Sequence, residues 1–253
     1  MQNIASYFFP VIALMVLSSC KDTVKKEAEK MVLQGRFVNQ TFLDENKDSL
    51  NFSPPAYSFQ LYFTGSDKVF VDRGFEGDTL TYAVENGNVV LLNATFHGNM
   101  TILADADGQG FTLVDTAFTG KSVPSHYIRV EDMSNGIPVW ISLINDQMVA
   151  GHYQLLEKGS ASGKKVHFLP SGKIEGLKGY RDYAICYTGD CMQTTIPYHN
   201  IMTMTTDEGN SMTFAYTVEK GKKSLKIFSI EEPKPGIKGE RKLKEPLFEL
   251  ISF

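Results

Sequence analysis

Short segments of alternating apolar and polar residues, separated by turn residues, constrain the fold of this chain more than any other feature. From Val32 onward, apolar residues recur at every second position or in short runs, a pattern typical of β-strands. The turns between them include 65–67, 86–88 and 107–108, which contain Gly, Asn, Asp and Ser, residues that suit turns and tolerate positive φ. Strands this short, at this spacing, predict an antiparallel barrel or sandwich rather than βαβ units.

The strand pattern runs through the chain twice. The first set is predicted at residues 33–43, 58–63, 68–73, 79–85, 89–96, 100–104, 111–118 and 126–131. The second set is predicted at residues 151–156, 165–169, 180–187, 192–197, 201–206, 212–218, 224–230 and 246–251. Gly35-Arg36-Phe37 opens one set and Gly151-His152-Tyr153 opens the other. We therefore predict an all-β chain with two tandem antiparallel barrels or half-barrels, at 33–143 and 144–253; one larger barrel or sandwich is the alternative.

The N-terminal segment has the pattern of an export signal. The apolar run at 4–17 is long enough for such a signal but shorter than the roughly 20 residues of a membrane-spanning helix. It ends in Leu17-Ser18-Ser19-Cys20, followed by a dense charged stretch. These residues resemble the lipobox of bacterial lipoproteins, in which the signal is cut before the cysteine and the cysteine is lipidated.

The lipobox resemblance implies a location as well as a modification. It implies a signal peptide at 1–19, a lipid such as palmitate on Cys20 and a charged tether at 20–32. The protein would then be anchored to the outer membrane by its lipid, on the periplasmic face or the cell surface. An ordinary cleaved secretory signal or a short anchor helix is the alternative.

Cysteine usage is consistent with export. The chain has three cysteines, so acylation of Cys20 leaves Cys186 and Cys191 as a pair. Disulfides persist in the oxidising bacterial periplasm. A four-residue hairpin loop would place the two cysteines opposite each other, within bonding reach. We predict a Cys186–Cys191 disulfide; two reduced thiols or a soft-metal site are the alternatives.

Charge and motifs exclude several function classes. The formal net charge of −4 argues against nucleic acid, which is bound by basic patches. The sequence has no G-x-S-x-G elbow and no H-E-x-x-H zinc motif, so we expect no enzymatic activity and no cofactor. Residues 159–164 lack the spacing of a phosphate loop and predict a hairpin loop. Residues 105–110 resemble a calcium loop but have Val114 near the place of the closing Glu, so we predict a hairpin turn there.

Histidine and methionine supply the remaining candidate ligands. No histidine belongs to a spaced zinc set, so all are interpreted as structural or solvated; they are His97, His126, His152, His167 and His199. A second group of residues close in sequence would suit Cu(I); its members are Met192, Met202, Met204, Met212, Cys186, Cys191 and His199. Because Met202 and Met204 share one face of a predicted strand, packing in the core is the favoured interpretation.

The body of the chain resembles the small lipocalin-like domains of bacterial lipoproteins. It shares a Gly-x-aromatic first strand, a meander of short strands and a late Phe-Thr-Leu-x-Asp strand at 111–115. Phe37 and Tyr153 stand where the lipocalin signature usually has Trp, and Trp140 lies between the two sets. A second likeness is to the NlpE-like envelope-stress lipoproteins, which also join a lipid anchor to small β domains.

These resemblances imply a non-enzymatic, lipid-anchored binding module. Its partner would be an apolar small molecule or another envelope protein. A metal or redox sensor that uses Cys186 and Cys191, through copper or thiol chemistry, is the alternative. Small barrels are either filled by side chains or hollow enough for one ligand, and the sequence leaves that choice open.

Overall fold

The computed structural model describes residues 33–47, 55–96, 98–115, 123–131, 137–187, 200–219, 224–231 and 242–253. Within these segments, strands dominate and two short helices occur, which confirms the predicted all-β class. The predicted signal peptide, Cys20, the tether, Cys191 and the predicted strand at 192–197 lie outside the described residues.

The first eight strands form a closed antiparallel barrel. They are β1 (Gln34–Asn39), β2 (Gln60–Thr64), β3 (Lys68–Asp72), β4 (Gly77–Glu85), β5 (Asn88–Thr95), β6 (Gly98–Ala104), β7 (Gly110–Asp115) and β8 (Val123–Val130). Each strand pairs with the next, and β1 also pairs with β8. Closure leaves this sheet without an exposed edge.

Aromatic side chains fill the interior of the first barrel. Phe37, Phe63 and Phe111 are all buried, and their ring centroids lie 5.0–6.1 Å apart. Tyr82 packs edge-on against Phe63, and Tyr127 stacks on Phe111 at 5.1 Å. Such pairs are stabilising beyond the area they bury. The first barrel is therefore filled by side chains rather than hollow.

The other eight strands form a second antiparallel sheet. They are β9 (Gly151–Glu157), β10 (Ser160–Phe168), β11 (Ile174–Glu175), β12 (Tyr180–Ile185), β13 (Asn200–Thr206), β14 (Ser211–Glu219), β15 (Ser224–Glu231) and β16 (Lys242–Ser252). The sheet order is β11-β10-β9-β16-β15-β14-β13-β12. An isolated bridge between Lys173 and Asp182 links its two ends. The second sheet therefore repeats the meander order of the first barrel, except that β11 and β12 are joined by a single bridge instead of a full strand pairing.

One helix replaces part of a predicted strand, and a second lies where no strand was predicted. The strand predicted at 33–43 ends at Asn39, and α1 (Gln40–Asn46) begins at the next residue. Asn39 caps this helix, since its side-chain oxygen accepts a 3.0 Å hydrogen bond from the backbone N–H of Phe42. The second helix, α2 (Val139–Met148), lies between the two sheets and was not predicted.

The prediction of a hairpin loop at 159–164 is wrong for most of its length. The turn consists of Lys158 and Gly159, both at positive φ, and β10 already begins at Ser160. The β9–β10 register shifts between Ala161 and Lys165. This irregularity accommodates the extra residues within the strand instead of in a longer loop.

One buried cluster joins the first barrel to α2 and the second sheet. The first barrel and α1 contribute Val38, Phe42, Leu43 and Phe59. Trp140, Ile144 and Met148 of α2 belong to the same cluster, together with inward-facing residues of the second sheet. Residues 31–253 form one compact unit, so the division into separate domains at 143/144 stays a prediction.

Candidate functional site, a phenylalanine rim on the first barrel

Two exposed phenylalanines lie on neighbouring connections of the first barrel. Phe75, between β3 and β4, keeps 67% of its surface exposed, and Phe96, between β5 and β6, is fully exposed. Because strands of a meander alternate in direction, both connections lie at the same end of the barrel. Two strand spacings separate them, on the order of 10 Å. We call this feature the phenylalanine rim: Tyr57, Arg73, Phe75, Ala94 and Phe96.

Tyr57 connects the two halves of the rim. The Arg73 guanidinium lies 4.9 Å from the centroid of the Tyr57 ring, and its Nη2 donates a 3.3 Å hydrogen bond to the Tyr57 hydroxyl. The same hydroxyl donates to the carbonyl oxygen of Ala94 at 3.2 Å. Tyr57 is buried, so these contacts position the segments carrying Phe75 and Phe96 before any partner binds.

The charges beside Phe75 are mostly acidic. Arg73 forms an ion pair with Asp78, and Glu76 is exposed next to Phe75. Among the described residues 73–78, one cation, Arg73, is therefore accompanied by two exposed carboxylates, Glu76 and Asp78. A complementary surface would offer an apolar socket with basic side chains around it.

The rim lies at the opposite end of the barrel from the point where the chain enters. β1 begins at Gln34, which is in register with Thr64 at the far end of β2. Arg129 Nη2 donates a 2.7 Å hydrogen bond to the Gln34 carbonyl and secures this end. Gln34, where β1 begins, thus lies at the end of the barrel away from Phe75 and Phe96.

Among the described histidines, His126 lies on the first barrel and His152 and His167 lie on the second sheet. His126 Nε2 is 2.8 Å from Asp105 Oδ2, at the start of the predicted hairpin turn at 105–110. The turn is confirmed, because Gly108 N–H donates to the Asp105 carbonyl at 3.0 Å. A Cβ at Gly110 would collide with the Asp105 carboxylate, so this glycine makes room for the pair. The contact fastens β8 to the turn, in line with the predicted structural role.

His152 and His167 lie on the second sheet, facing solvent, with ring centroids 4.3 Å apart. His97 and His199 lie outside the described residues. Within the described part of the chain, no group of three or more His, Cys, Asp or Glu side chains is arranged to hold a metal ion.

The predicted soft-ligand cluster does not converge where it can be followed. Met202 and Met204 are fully buried in the main core, which confirms their interpretation as core residues. Cys186 packs with Ile201 and Ala215 in a separate cluster. Because Ile201 and Met202 are consecutive in β13, they face opposite sides of the sheet. Met192 and Cys191 lie outside the described residues.

Three tyrosines of the second sheet, Tyr153, Tyr183 and Tyr216, are buried. Tyr153 donates a 2.8 Å hydrogen bond to the Val149 carbonyl, and Tyr183 donates one of the same length to the Leu169 carbonyl. The Tyr216 hydroxyl is buried without a hydrogen-bond partner. Burial raises the pKa of Tyr153 to about 12 and raises the pKa values of Tyr183 and Tyr216 as well. All three therefore stay neutral near pH 7, as core side chains do.

Comparison with known proteins gives no relative from which a function could be carried over. No protein-family model, curated protein or solved structure matches this chain. Among the described segments, neither helix has the length and hydropathy that crossing a membrane requires.

Sequence reasoning missed the phenylalanine rim. Phe75 stands in Arg73-Gly74-Phe75-Glu76-Gly77, and Phe96 precedes His97-Gly98. Phe75 stands in a glycine-flanked turn and cannot join the alternating pattern of a strand, which is the signal that could have drawn attention to it. Phe96, by contrast, is the last residue of the strand predicted at 89–96, one residue beyond the observed end of β5 at Thr95. The bridging role of Tyr57 depends on contacts far apart in sequence and has no such signal.

Proposed function

We propose that this protein is a lipid-anchored, non-enzymatic binding module of the bacterial cell envelope that binds another envelope protein through the phenylalanine rim. The observation that carries the proposal is the pair of exposed rings, Phe75 and Phe96, on segments fastened together by Tyr57. Burying each ring in a partner would contribute about 1.5–3 kcal/mol. Together, the two rings could form the apolar centre of a specific protein–protein interface. The acidic side chains beside them would favour a partner whose surface carries basic side chains around its binding pocket.

A protein partner is better supported than an apolar small molecule inside the first barrel. The interior there is occupied by Phe37, Phe63 and Phe111. Apolar surface is instead available at the rim, outside the barrel. The first residue of β1, Gln34, lies at the end of the barrel opposite the rim.

A metal or redox sensor at Cys186 and Cys191 is less well supported. Cys186 is buried beside Ile201 and Ala215, whereas Met202 and Met204 lie in the other cluster. Thioether and thiolate ligands therefore do not meet among the described residues.

Site-specific photocrosslinking in cells tests the rim directly. Replacing Phe96 or Phe75 with benzoylphenylalanine should give one discrete adduct with an envelope protein, to be identified by mass spectrometry. Leu103, which is 49% exposed on β6, is the matched control position and should give no such adduct. Phe75→Asp should remove the adduct formed from position 96. Equal adducts from position 103, or adducts indifferent to Phe75→Asp, would contradict the proposal.

The anchor is tested separately. Cys20→Ala should leave the protein uncleaved or unanchored and should abolish incorporation of labelled palmitate. Persistent palmitate labelling of this variant would refute the acylation at Cys20 without affecting the rim.

A further inference from the structure

Three side chains form a row across the outer face of β9, β10 and β11. His152 lies opposite His167 in register, and His167 lies opposite Glu175. Residues opposite one another in a sheet point to the same side. The next residues along, Tyr153 and Val166, are buried in the core. The row therefore faces solvent.

The two imidazoles of this row are in contact. Their centroids lie 4.3 Å apart with planes inclined by 76°. His152 is exposed, and 31% of the His167 side chain is exposed, so an ion in solution can reach both rings. Cβ atoms at directly opposite positions lie about 4.5–5.5 Å apart. That spacing allows one nitrogen of each ring to converge on a single ion after small side-chain rotations.

Glu175 is placed to orient one of these rings. Its Oε2 lies 3.5 Å from Nδ1 of His167, which leaves Nε2 of that ring available. Metal-binding histidines commonly donate the other ring N–H to a carboxylate, which fixes the tautomer and raises the basicity of the ligand. The nearby Lys165 ammonium lies over the Phe253 ring, 5.1 Å from its centroid.

We propose that His152 and His167 form a surface site for a divalent transition-metal ion, with Glu175 as a positioning residue and water completing the coordination. Imidazole suits Cu²⁺, Ni²⁺ and Zn²⁺, with Cu²⁺ expected to bind most tightly. The site has two protein ligands, which agrees with the absence of three-residue ligand groups in the described segments. It is independent of the rim and of the cysteine pair.

Titration calorimetry with NiCl₂ and ZnCl₂ on the full chain in detergent micelles tests the site. We expect one ion per chain, with His152→Ala and His167→Ala each weakening binding at least tenfold. Glu175→Gln should weaken it about tenfold, the usual effect of removing the carboxylate partner of a ligating histidine. His126→Ala, which alters a histidine on the first barrel, is the matched control and should leave the affinity unchanged.

Electron paramagnetic resonance of the Cu²⁺-loaded chain gives a second readout. Coupling to two imidazole nitrogens is expected, falling to one in either alanine variant. Circular dichroism establishes that each variant is folded, which is expected because these side chains face solvent. Absence of binding at millimolar metal, or binding that both alanine variants retain, would overturn the proposal.

Discussion

Phe59 and Trp140 stack face to face, with ring centroids 4.1 Å apart and planes inclined by 13°. Phe59 immediately precedes β2 of the first barrel, and Trp140 belongs to α2. The indole N–H of Trp140 also donates a 2.8 Å hydrogen bond to Oδ2 of the buried Asp72. Tyr187 packs edge-on against the indole at 4.6 Å. The only tryptophan of the chain therefore combines stacking with a hydrogen bond that satisfies a buried carboxylate.

Trp140→Phe should lower the free energy of unfolding by about 1–3 kcal/mol, because a ring remains against Phe59 but Asp72 loses a donor. Trp140→Ala should cost about 3–5 kcal/mol, since the ring contacts are lost too. Urea unfolding followed by circular dichroism measures both, as these variants lack tryptophan fluorescence. If Trp140→Phe were as stable as the native protein, the hydrogen bond to Asp72 would not contribute as described.

The strand pattern was predictable from the sequence because the strands are half-buried. Alternation between core and solvent gives period two, and most of the predicted strands are present within a few residues. The helices were not predicted. In α1 the cap Asn39 is also the last residue of β1, so the strand pattern runs into a helix of seven residues. Trp140, Ile144 and Met148 recur every four residues in α2, a helical spacing that does mark its buried face.

The candidate site was far less predictable. Phe75 and Phe96 are exposed because no other described part of the fold packs over the two connections that carry them. That depends on the arrangement of all eight strands of the closed barrel, which local sequence does not reveal. The contact of His152 with His167 requires the β9–β10 register. That register is set by a turn and a shift within the strand, and hydrophobic pattern alone does not reveal either.

Gly176→Ala should destabilise the protein more than Gly159→Ala. Both glycines have similar positive φ, +79° and +76°, so each variant carries the cost of left-handed backbone, about 1–2 kcal/mol. A Cβ at position 176 would also collide with the Lys165 carbonyl oxygen, whereas position 159 faces open space. Overpacking should add about 1–3 kcal/mol at position 176. Equal urea midpoints and slopes for the two variants would show that the backbone of β10 shifts at Lys165 with little loss of stability.

Alkaline pH should destabilise the fold through its buried tyrosines. Burial raises the pKa of Tyr153 to about 12, and burial followed by the Asp72 charge raises the pKa of Tyr187 to about 12. Tyrosine in the unfolded chain titrates near pH 10. The stabilisation is therefore fully present below about pH 10 and is lost as the pH rises through about 12.

The tyrosine effect can be assigned to one side chain. Between about pH 10 and pH 12, Tyr153 and Tyr187 each lower the free energy of unfolding by about 1.4 kcal/mol per pH unit. Tyr153→Phe should reduce the slope by that amount. Tyr62→Phe, which alters a half-buried ring lying under the Arg36 guanidinium, is the control. An unchanged slope in Tyr153→Phe would mean that Tyr153 ionises outside this window.

The predicted Cys186–Cys191 disulfide separates the two candidate functions, and its test depends on the burial of Cys186. The closed loop is very short, so the bond should contribute less than the roughly 3 kcal/mol estimated for a 15-residue loop. Changing both cysteines to Ser should lower stability slightly and leave localisation unchanged.

Cys186 is only 6% exposed, so thiol trapping must follow acid quenching and denaturation. A thiol-specific reagent added to the folded protein would fail to label a reduced Cys186, because the thiol is buried. A pair found mainly reduced, or cycling when copper is added, would favour the sensor over the binding module.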